Sequence, residues 1–263
     1  MLTLLHAPTS VCSQKVRVGL AMIGLDYESR LMNLAAGEQF EAAYLALNPD
    51  AVVPTLVDDG LVVVESSLIL EHLDERHNAG RLMPKEPAER LQAKHWLLRC
   101  LQIHAAINTL SFATAYRLPI LASKTPAEID ASVARFPDPV MGAKRRDLIL
   151  NGTGSPYVGQ ALMYLRRMLD DLQAQLAGDW LGGQGAGIVD VALIAYVDRL
   201  DRLGLQGLWD AHPAIGPWLA RWQAMPAYAA GIEAFTPPGS AAPMRAAGLD
   251  EHWPALRERW AAL

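Results

Sequence analysis

The stretch from Asn48 to Leu73 constrains the fold of this chain most, because it predicts a strand, a turn, a strand and a helix in direct succession. The first strand covers Val53–Val57, where a proline is tolerated because it stands near the strand start. Asp58–Gly60 is a hairpin turn signal, since glycine adopts a positive φ at little cost. Leu61–Val64 is a short β-branched run that pairs back as the second strand.

The helix of this stretch opens at Glu65-Ser66-Ser67 and continues with apolar residues at Leu68–Leu70 and Leu73. A serine before such a run is expected to satisfy first-turn N–H groups, and the positive end of the helix dipole attracts an anion. A free strand edge beside this helix start could hold an extended, peptide-like anion. An ordinary hairpin followed by an ordinary helix cap explains the same spacing, so the pattern alone leaves both interpretations open.

The composition places the chain among globular proteins and argues against nucleic acid as a partner. Its 263 residues are 51% hydrophobic and 19% charged, the net charge is −5, and the basic residues are scattered. Only Cys12 and Cys100 are present, too few for a disulfide framework, which favours a reducing, cytoplasmic setting. The N-terminus lacks the basic segment of a secretory signal, and no apolar run approaches the ~20 residues of a membrane span.

The first part of the chain predicts a small α/β sandwich. Residues 2–6 suit a buried strand, residues 14–23 form a helix that Gly24 ends, and Tyr27–Leu34 carries a second strand. Residues 35–49 form a helical or irregular link to the stretch that begins the strand–turn–strand–helix succession. The order is therefore β-α-β, a link, then β-β-α, closing near Asp74.

After a Gly- and Pro-containing linker at residues 76–88, the pattern changes to helical periodicity. We expect helices at residues 88–116, 155–176 and 188–203, the last being apolar enough to be buried, with another beginning at Pro213. Residues 117–140 are predicted to be the least regular part because they contain four prolines. The tail after Pro237 is predicted to be loose until residue 251.

Five motifs in order carry a family resemblance: S-V-C-S-Q-K-V-R at 10–17, G-E-Q-F at 37–40, A-L-N-P at 46–49, V-V-P-T-L at 52–56 and E-S-S-L-I at 65–69. With these motifs the chain resembles the cytosolic glutathione S-transferase superfamily, in its serine-type, zeta-like classes. The helical half resembles the bacterial β-etherase and fungal wood-decay branch, on the cue of P-D-P at 137–139 and K-R-R at 144–146.

The resemblance implies the glutathione transferase fold, an α/β thioredoxin-like N-terminal domain at 1–78 plus an all-α C-terminal helical domain at 88–263. It also implies glutathione as co-substrate without a metal, a hydrophobic small-molecule electrophile as the second substrate, and a homodimer in the cytoplasm. No nucleic acid or membrane partner is expected.

The resemblance also implies roles for individual residues. Val53-Pro54 matches a cis-proline step that turns the Val53 backbone toward the cysteinyl part of glutathione. Glu65 and Ser66 match the pair that receives the γ-glutamyl ammonium and carboxylate, and Gln39 matches a residue that reaches the glycyl end. Asp190 matches the acidic half of a helix capping box, but Gly187 stands where the family has Ser or Thr, so half of that box is expected.

A glutathione transferase must hold a thiolate at neutral pH, although a free thiol has a pKa of about 8.5. Ser10 lies in the turn before a helix expected to begin around Ser13, and its hydroxyl can donate to the sulfur. Ser10 and Ser13 take the two cysteine positions of a thioredoxin C-x-x-C, so disulfide exchange is not expected. Cys12 is either a low-pKa nucleophile that forms a mixed disulfide or a small packing residue. Thr9 is a further hydroxyl candidate.

The second substrate is expected between the two predicted domains, against the long helix and the segment after it. The candidates are His104, Asn108, Phe112 and Tyr116, with Met141 and Tyr157 as further possibilities. Before the resemblance is counted, helix packing is the favoured explanation of His104 and Phe112. The basic cluster Lys144–Arg146 is interpreted as a solvated helix face rather than an anion site.

The sequence therefore predicts an enzyme, a glutathione S-transferase that conjugates or thiolytically cleaves an apolar, aromatic electrophile, with a β-aryl ether as a special case. The alternatives are a glutathione-fold binding protein for hydrophobic ligands without turnover, and a Cys12-dependent thiol transferase. A zeta-type isomerase is the weaker option, because Val11 replaces the second serine of that motif.

Overall fold

The structure is a computed structural model that describes residues 1–263. The four strands are β1 (Leu2–His6), β2 (Glu28–Leu31), β3 (Thr55–Asp58) and β4 (Leu61–Val63). The helices are α1 (Val11–Ile23), α2 (Ala42–Leu45), α3 (Ser66–His77), α4 (Pro87–Ala113), α5 (Arg117–Ser123), α6 (Pro126–Val133), α7 (Pro139–Asn151), α8 (Tyr157–Gln175), α9 (Ile188–Arg202), α10 (Ile215–Gln223), α11 (Pro226–Gly231), α12 (Ala241–Ala247) and α13 (Trp253–Ala261).

The four strands form one mixed sheet in the order β2-β1-β3-β4. β1 pairs with β2 in parallel and with β3 in antiparallel register, and β3 and β4 form the hairpin. Leu4 of β1 and Leu56 of β3 lie opposite each other and join Val16 and Leu20 of α1 and Ile69 of α3 in one apolar core. The predicted β-α-β, link, β-β-α order is confirmed.

Element boundaries in this part differ from the prediction by a few residues. The helix expected from residue 14 begins at Val11, so Ser10 is its N-cap and not part of a preceding turn. The strand expected from Val53 begins at Thr55, and the strand expected over 27–34 covers only Glu28–Leu31. Gly24 ends α1 at φ 69, the left-handed conformation that the sequence predicts there.

The chain divides into two compact units, each built from more than one stretch. The first contains residues 1–101, 172–197 and 214–236, and therefore holds the whole sheet with α1, α2 and α3. The second contains residues 102–171, 198–213 and 237–263 and is helical throughout. None of the helices combines the length and apolar character needed to cross a lipid bilayer.

The expectation of an irregular segment at residues 117–140 was wrong, because α5, α6 and the start of α7 lie there. Two of the four prolines occupy the first helical turns of α6 and α7, where no N–H is needed. Thr125 and Glu128 form a capping box at α6, and Asp138 caps α7. The tail was expected to be loose, but α12 occupies residues 241–247 of it.

The start of α9 confirms the predicted half of a capping box. The Asp190 carboxylate accepts hydrogen bonds from the N–H groups of Gly187, Leu181 and Gly182, and from Nε1 of Trp218. A Cβ at position 187 would lie 3.3 Å from both Gly182 Cα and Leu82 O. This crowding explains why a glycine stands where a Ser or Thr cap is usual.

Candidate active site

The peptide bond between Val53 and Pro54 is cis, as the motif predicts. The loop before it is fixed by Tyr44 and Asn48, whose side chains donate to the Val52 carbonyl at 2.5 and 2.9 Å. The Val53 N–H and C=O make no hydrogen bond with the rest of the chain. A strand-like segment with free backbone groups is therefore available to an extended ligand.

The N-terminus of α3 lies uncapped. Ser66 is its first residue, and Glu65 precedes it at φ 68 and ψ 110 without a side-chain cap, so the expectation that a serine caps this helix was wrong. The first-turn N–H groups are left for another acceptor, an arrangement that suits an anion. Glu65 holds a positive φ that costs a non-glycine residue about 1–3 kcal/mol, and such strain collects at functional sites.

Lys15 is a functional candidate that the sequence did not single out. It lies on α1 with an exposed fraction of 0%, and its Nζ donates to Ser67 Oγ at 3.1 Å. The same Nζ lies 5.0 Å from the ring centroid of Tyr196, and no carboxylate pairs with it. Its contact with Ser67 joins residues 52 apart, so no local pattern distinguishes it from a solvated lysine.

Ser10 is placed to donate a hydrogen bond. Its Oγ accepts from the Ser13 N–H at 3.3 Å, which leaves the hydroxyl proton without an acceptor in the chain. The Ser13 hydroxyl accepts from the Ala7 N–H at 3.3 Å in the same way, but Ser13 is buried, whereas Ser10 is half-buried. A thiolate near Ser10 would therefore accept a hydrogen bond from this Ser10 hydroxyl, at the positive end of α1.

Arg17 fixes the segment that leads into Ser10. Its guanidinium donates to the carbonyl oxygens of Ala7 at 3.1 Å, Pro8 at 2.8 Å and Gly231 at 2.8 Å. It also contacts His6 Nδ1 at 2.9 Å. Burial and the Arg17 charge lower the pKa of His6 to about 4, so this imidazole is neutral at physiological pH.

Cys12 lies beside a buried phenol. Burial, together with the neighbouring thiols of Cys100 and Cys12, raises the pKa of Tyr196 well above its ordinary value. Cys12 is half-buried and Cys100 is buried. This surrounding agrees with Cys12 as a packing residue, and its alternative role as a nucleophile stays a prediction.

Gln39 lies buried in the short 3-10 helix Glu38–Phe40. Its Nε2 donates to the Leu34 carbonyl at 3.5 Å, while its Oε1 is buried without a partner. A buried amide oxygen without a donor is rare in folded proteins. The predicted role at the glycyl end of a ligand would supply that missing contact.

The predicted electrophile residues lie in the second unit at intervals of four, and all are half-buried: His104, Asn108, Phe112 and Tyr116. The rings of Phe112 and Tyr116 meet edge to face at 5.4 Å. Arg145 packs over Phe112 with Cζ 3.3 Å from the ring centroid. The expectation that Lys144–Arg146 form a solvated face was therefore wrong for Arg145. Of the two further candidates, Met141 is exposed and Tyr157 is half-buried.

A second polar cluster lies in the first unit. Asp58, His72 and His77 hold their ligand-type atoms within 4.8 Å of one another, a spacing that a metal ion could use. However, Asp58 Oδ2 already contacts His72 and His77 Nε2 at 2.8 Å each and Arg76 Nε at 3.0 Å. The guanidinium balances the carboxylate charge, so a hydrogen-bonded ion cluster explains this group.

A cavity of about 530 Å³ lies elsewhere in the first unit, between residues 81–85, the start of α4 and residues 181–189. None of the predicted site residues lines it. The candidate site is accordingly defined by unpaired backbone groups and a helix end, and not by this cavity.

Comparisons with known proteins identify the family of the chain. Residues 4–84 match the family model of the glutathione S-transferase N-terminal domain, and residues 127–222 match that of its C-terminal domain. A probable maleylacetoacetate isomerase of Vibrio cholerae is 31% identical over 222 residues, 84% of this chain and 90% of that protein. The chain belongs to the glutathione S-transferase superfamily.

Two further similarities are narrower. The glutathione S-transferase Z1 of Arabidopsis thaliana is 35% identical over 106 residues, so the match spans 39% of this chain and about half, 48%, of that relative. The crystal structure of the β-etherase LigF from Sphingobium sp. strain SYK-6 shares the fold with a TM-score of 0.77 at 23% identity, over 89% of this chain and 99% of that one.

Proposed function

We propose that the protein is a glutathione S-transferase in which Ser10 stabilises the glutathione thiolate for attack on an apolar, aromatic electrophile. The carrying observation is the Ser10 hydroxyl, which caps α1 as an acceptor and keeps its proton free for a sulfur. The thiol proton leaves to solvent, a carbon–sulfur bond forms, and the leaving group departs with its electron pair.

Glutathione binding is supported by three features of the first unit that could contact a ligand. The free backbone groups of Val53 suit the cysteinyl part, the uncapped α3 start with Ser66 suits the γ-glutamyl carboxylate, and Glu65 suits the ammonium. Gln39 would contact the glycyl end. Lys15, held at Ser67, adds a cation that favours the same carboxylate.

The electrophile would contact Asn108, Phe112 and Tyr116, with His104 further along the same helix face. Cleavage of a β-aryl ether is the special case supported by the fold shared with LigF: the thiolate attacks the β-carbon and the phenolate leaves. A zeta-type isomerase is the second candidate, supported by the relative named as a probable maleylacetoacetate isomerase. Product analysis separates the two, because only the isomerase regenerates free glutathione without an adduct.

The test compares Ser10→Ala with Cys12→Ala. Loss of one charge-assisted hydrogen bond is expected to raise the pKa of the bound thiol and to lower kcat/KM about ten- to hundredfold for Ser10→Ala. Cys12→Ala should stay within about twofold of the parent. Thiolate absorbance of the complex and turnover with a chloronitroarene measure both quantities.

The outcomes discriminate between the rival functions. Loss of glutathione-dependent disulfide reduction in Cys12→Ala alone would show thiol transfer instead. Ligand affinity without turnover in any form would show a binding protein.

We also propose a cytoplasmic homodimer. The two free cysteines suit a reducing compartment. Three exposed leucines follow one another along α4, at Leu91, Leu98 and Leu101, and form an apolar surface that a second copy would cover. A solution mass of a single 28.6 kDa chain would contradict the dimer.

A further inference from the structure

Three consecutive basic residues of α7 have different surroundings. Arg146 is 46% exposed and its Nε pairs with Asp130 Oδ1 at 2.5 Å, an ordinary surface ion pair. Arg145 is half-buried, with Cζ 3.3 Å from the ring centroid of Phe112 and 5.5 Å from that of Phe136. Lys144 lies 5.4 Å from the ring of Tyr157.

Arg145 has no anionic partner. Its one hydrogen bond is a long contact of 3.4 Å to Asn108 Oδ1, and no carboxylate of the second unit pairs with it. The nearby Asp147 accepts from Asn151 instead. Burial alone lowers the pKa of Arg145 to about 10, with no neighbouring charge to oppose it. A desolvated cation without a counter-charge is costly, so proteins keep one chiefly where a ligand supplies the anion.

The groups around Arg145 reinforce the positive potential. Burial and the charge of Arg145 lower the pKa of Lys144 below its ordinary value. Arg199 donates to the hydroxyl of Tyr116, whose ring lies edge to face with Phe112. The residues proposed to contact the electrophile are thus the same residues that surround an unneutralised guanidinium.

We propose that Arg145 binds a carboxylate of the electrophilic substrate, so that the substrate class is an aromatic carboxylic acid. This inference rests on the proposed glutathione transferase function. Phe112 and Tyr116 supply the aromatic surface on which the ring packs, and the guanidinium donates one hydrogen bond to each of the two carboxylate oxygens. A lysine would supply the charge without the planar two-point geometry.

The experiment uses two chloronitroarenes that differ in one group, 4-chloro-3,5-dinitrobenzoate and its primary amide. In both, the glutathione thiolate attacks the chlorine-bearing carbon and chloride leaves. The measured quantity is the ratio of kcat/KM for the acid to kcat/KM for the amide. Comparing this ratio between variants cancels the difference in intrinsic reactivity.

Arg145→Gln is expected to lower the acid-to-amide ratio about ten- to hundredfold, chiefly through the KM of the acid, because the contact is remote from the reacting carbon. Arg145→Lys should recover part of that loss. Arg146→Gln is the matched control, since it removes a neighbouring charge that is exposed and already paired, and its ratio should match the parent.

An unchanged ratio in Arg145→Gln, or an equal loss on both probes, would overturn the proposal and leave Arg145 a structural residue. A raised KM for glutathione with an unchanged ratio would overturn the proposal as well and assign Arg145 to glutathione binding. If Arg145→Gln does not fold, Arg145→Lys carries the comparison, and an unchanged ratio there counts against the two-point contact.

Failure of the proposed function is distinguishable from failure of this inference. If the parent protein turns over neither probe, unreactive 3,5-dinitrobenzoate is titrated into it by calorimetry with Arg145→Gln and Arg146→Gln beside it. Binding that only Arg145→Gln loses would support the carboxylate site in a protein that is not a transferase. Binding that all three share, or that none shows, would reject the site.

Discussion

At the scale of single residues, Lys15 is a buried cation without an anionic partner in the free protein. Its ammonium contacts the second residue of α3, close to the positive end of that helix, which is an unfavourable place for a cation. A bound carboxylate would remove this conflict. The residue is therefore expected to contribute to ligand affinity and to lower the stability of the free protein.

Lys15→Met is expected to raise the dissociation constant for glutathione about tenfold, because one charge–carboxylate interaction is lost. The melting temperature of the free protein should stay the same or rise, since a buried unpaired cation is replaced by an apolar side chain of similar volume. Calorimetry and thermal unfolding measure the two effects. Lys94→Met is the control, because Lys94 already pairs with Glu71 at 3.1 Å. A lower melting temperature with unchanged affinity would assign Lys15 a structural role.

The sequence predicts some site residues and misses others for a physical reason. The Val53-Pro54 step lies in a contiguous motif whose backbone conformation is local, so it could be predicted and the cis bond confirms it. The proposed roles of Lys15 and Arg145 depend on which residues from other elements bury them, and a local motif does not specify this. Arg145 meets Phe112 from another helix, and nothing in K-R-R at 144–146 separates it from its exposed neighbour Arg146.

At the scale of elements, the junction of β1 and α1 carries a pH-sensitive contact. His6 at the end of β1 meets Arg17 of α1 at Nδ1 and Ser29 of β2 at Nε2, 2.9 and 2.8 Å away. Since Arg17 can only donate, Nδ1 accepts and Nε2 carries the single proton. Burial of the ring, and the two cations that protonating Nδ1 would set against each other, lower the pKa of His6 to about 4.

This junction predicts a stability change between pH 6.5 and 4. The unfolded chain binds the His6 proton near pH 6.5 and the folded chain only near 4, so the stabilisation is complete above 6.5 and is lost as pH falls toward 4. The free energy of unfolding should fall by about 2 kcal/mol between pH 7 and pH 5 from this group alone. Urea unfolding at both values measures it. In His6→Asn, whose amide oxygen can accept from Arg17, the fall should shrink by that amount, whereas exposed His95→Asn should keep it. An equal fall in all three proteins would refute the assignment.

Helix starts show the same division between local and tertiary information. The prolines at 126 and 139 were interpreted as helix breakers, although T-P-A-E at 125–128 is a local capping signal that the structure uses. The strand at Glu28–Leu31 came out shorter than expected because it is an edge strand with exposed side chains, and edges lack a second partner to extend them.

At the scale of the whole molecule, the two units differ in the kind of groups that are proposed to contact their ligands. The first unit offers backbone groups, a helix end and a cis-proline step, features that short motifs specify. The second unit offers scattered side chains on helices, so its substrate cannot be inferred from motifs and has to be argued from charge and packing.

The first unit is proposed to bind glutathione along Val53 and the start of α3. Isothermal calorimetry of the purified protein with glutathione tests it most directly, with Ser66→Ala titrated in parallel. We expect a saturable heat for the parent protein and an affinity at least about tenfold weaker for Ser66→Ala. The variant lacks the Ser66 hydroxyl, which would contact the γ-glutamyl carboxylate. No heat with the parent protein, together with no retention on immobilised glutathione, would contradict it.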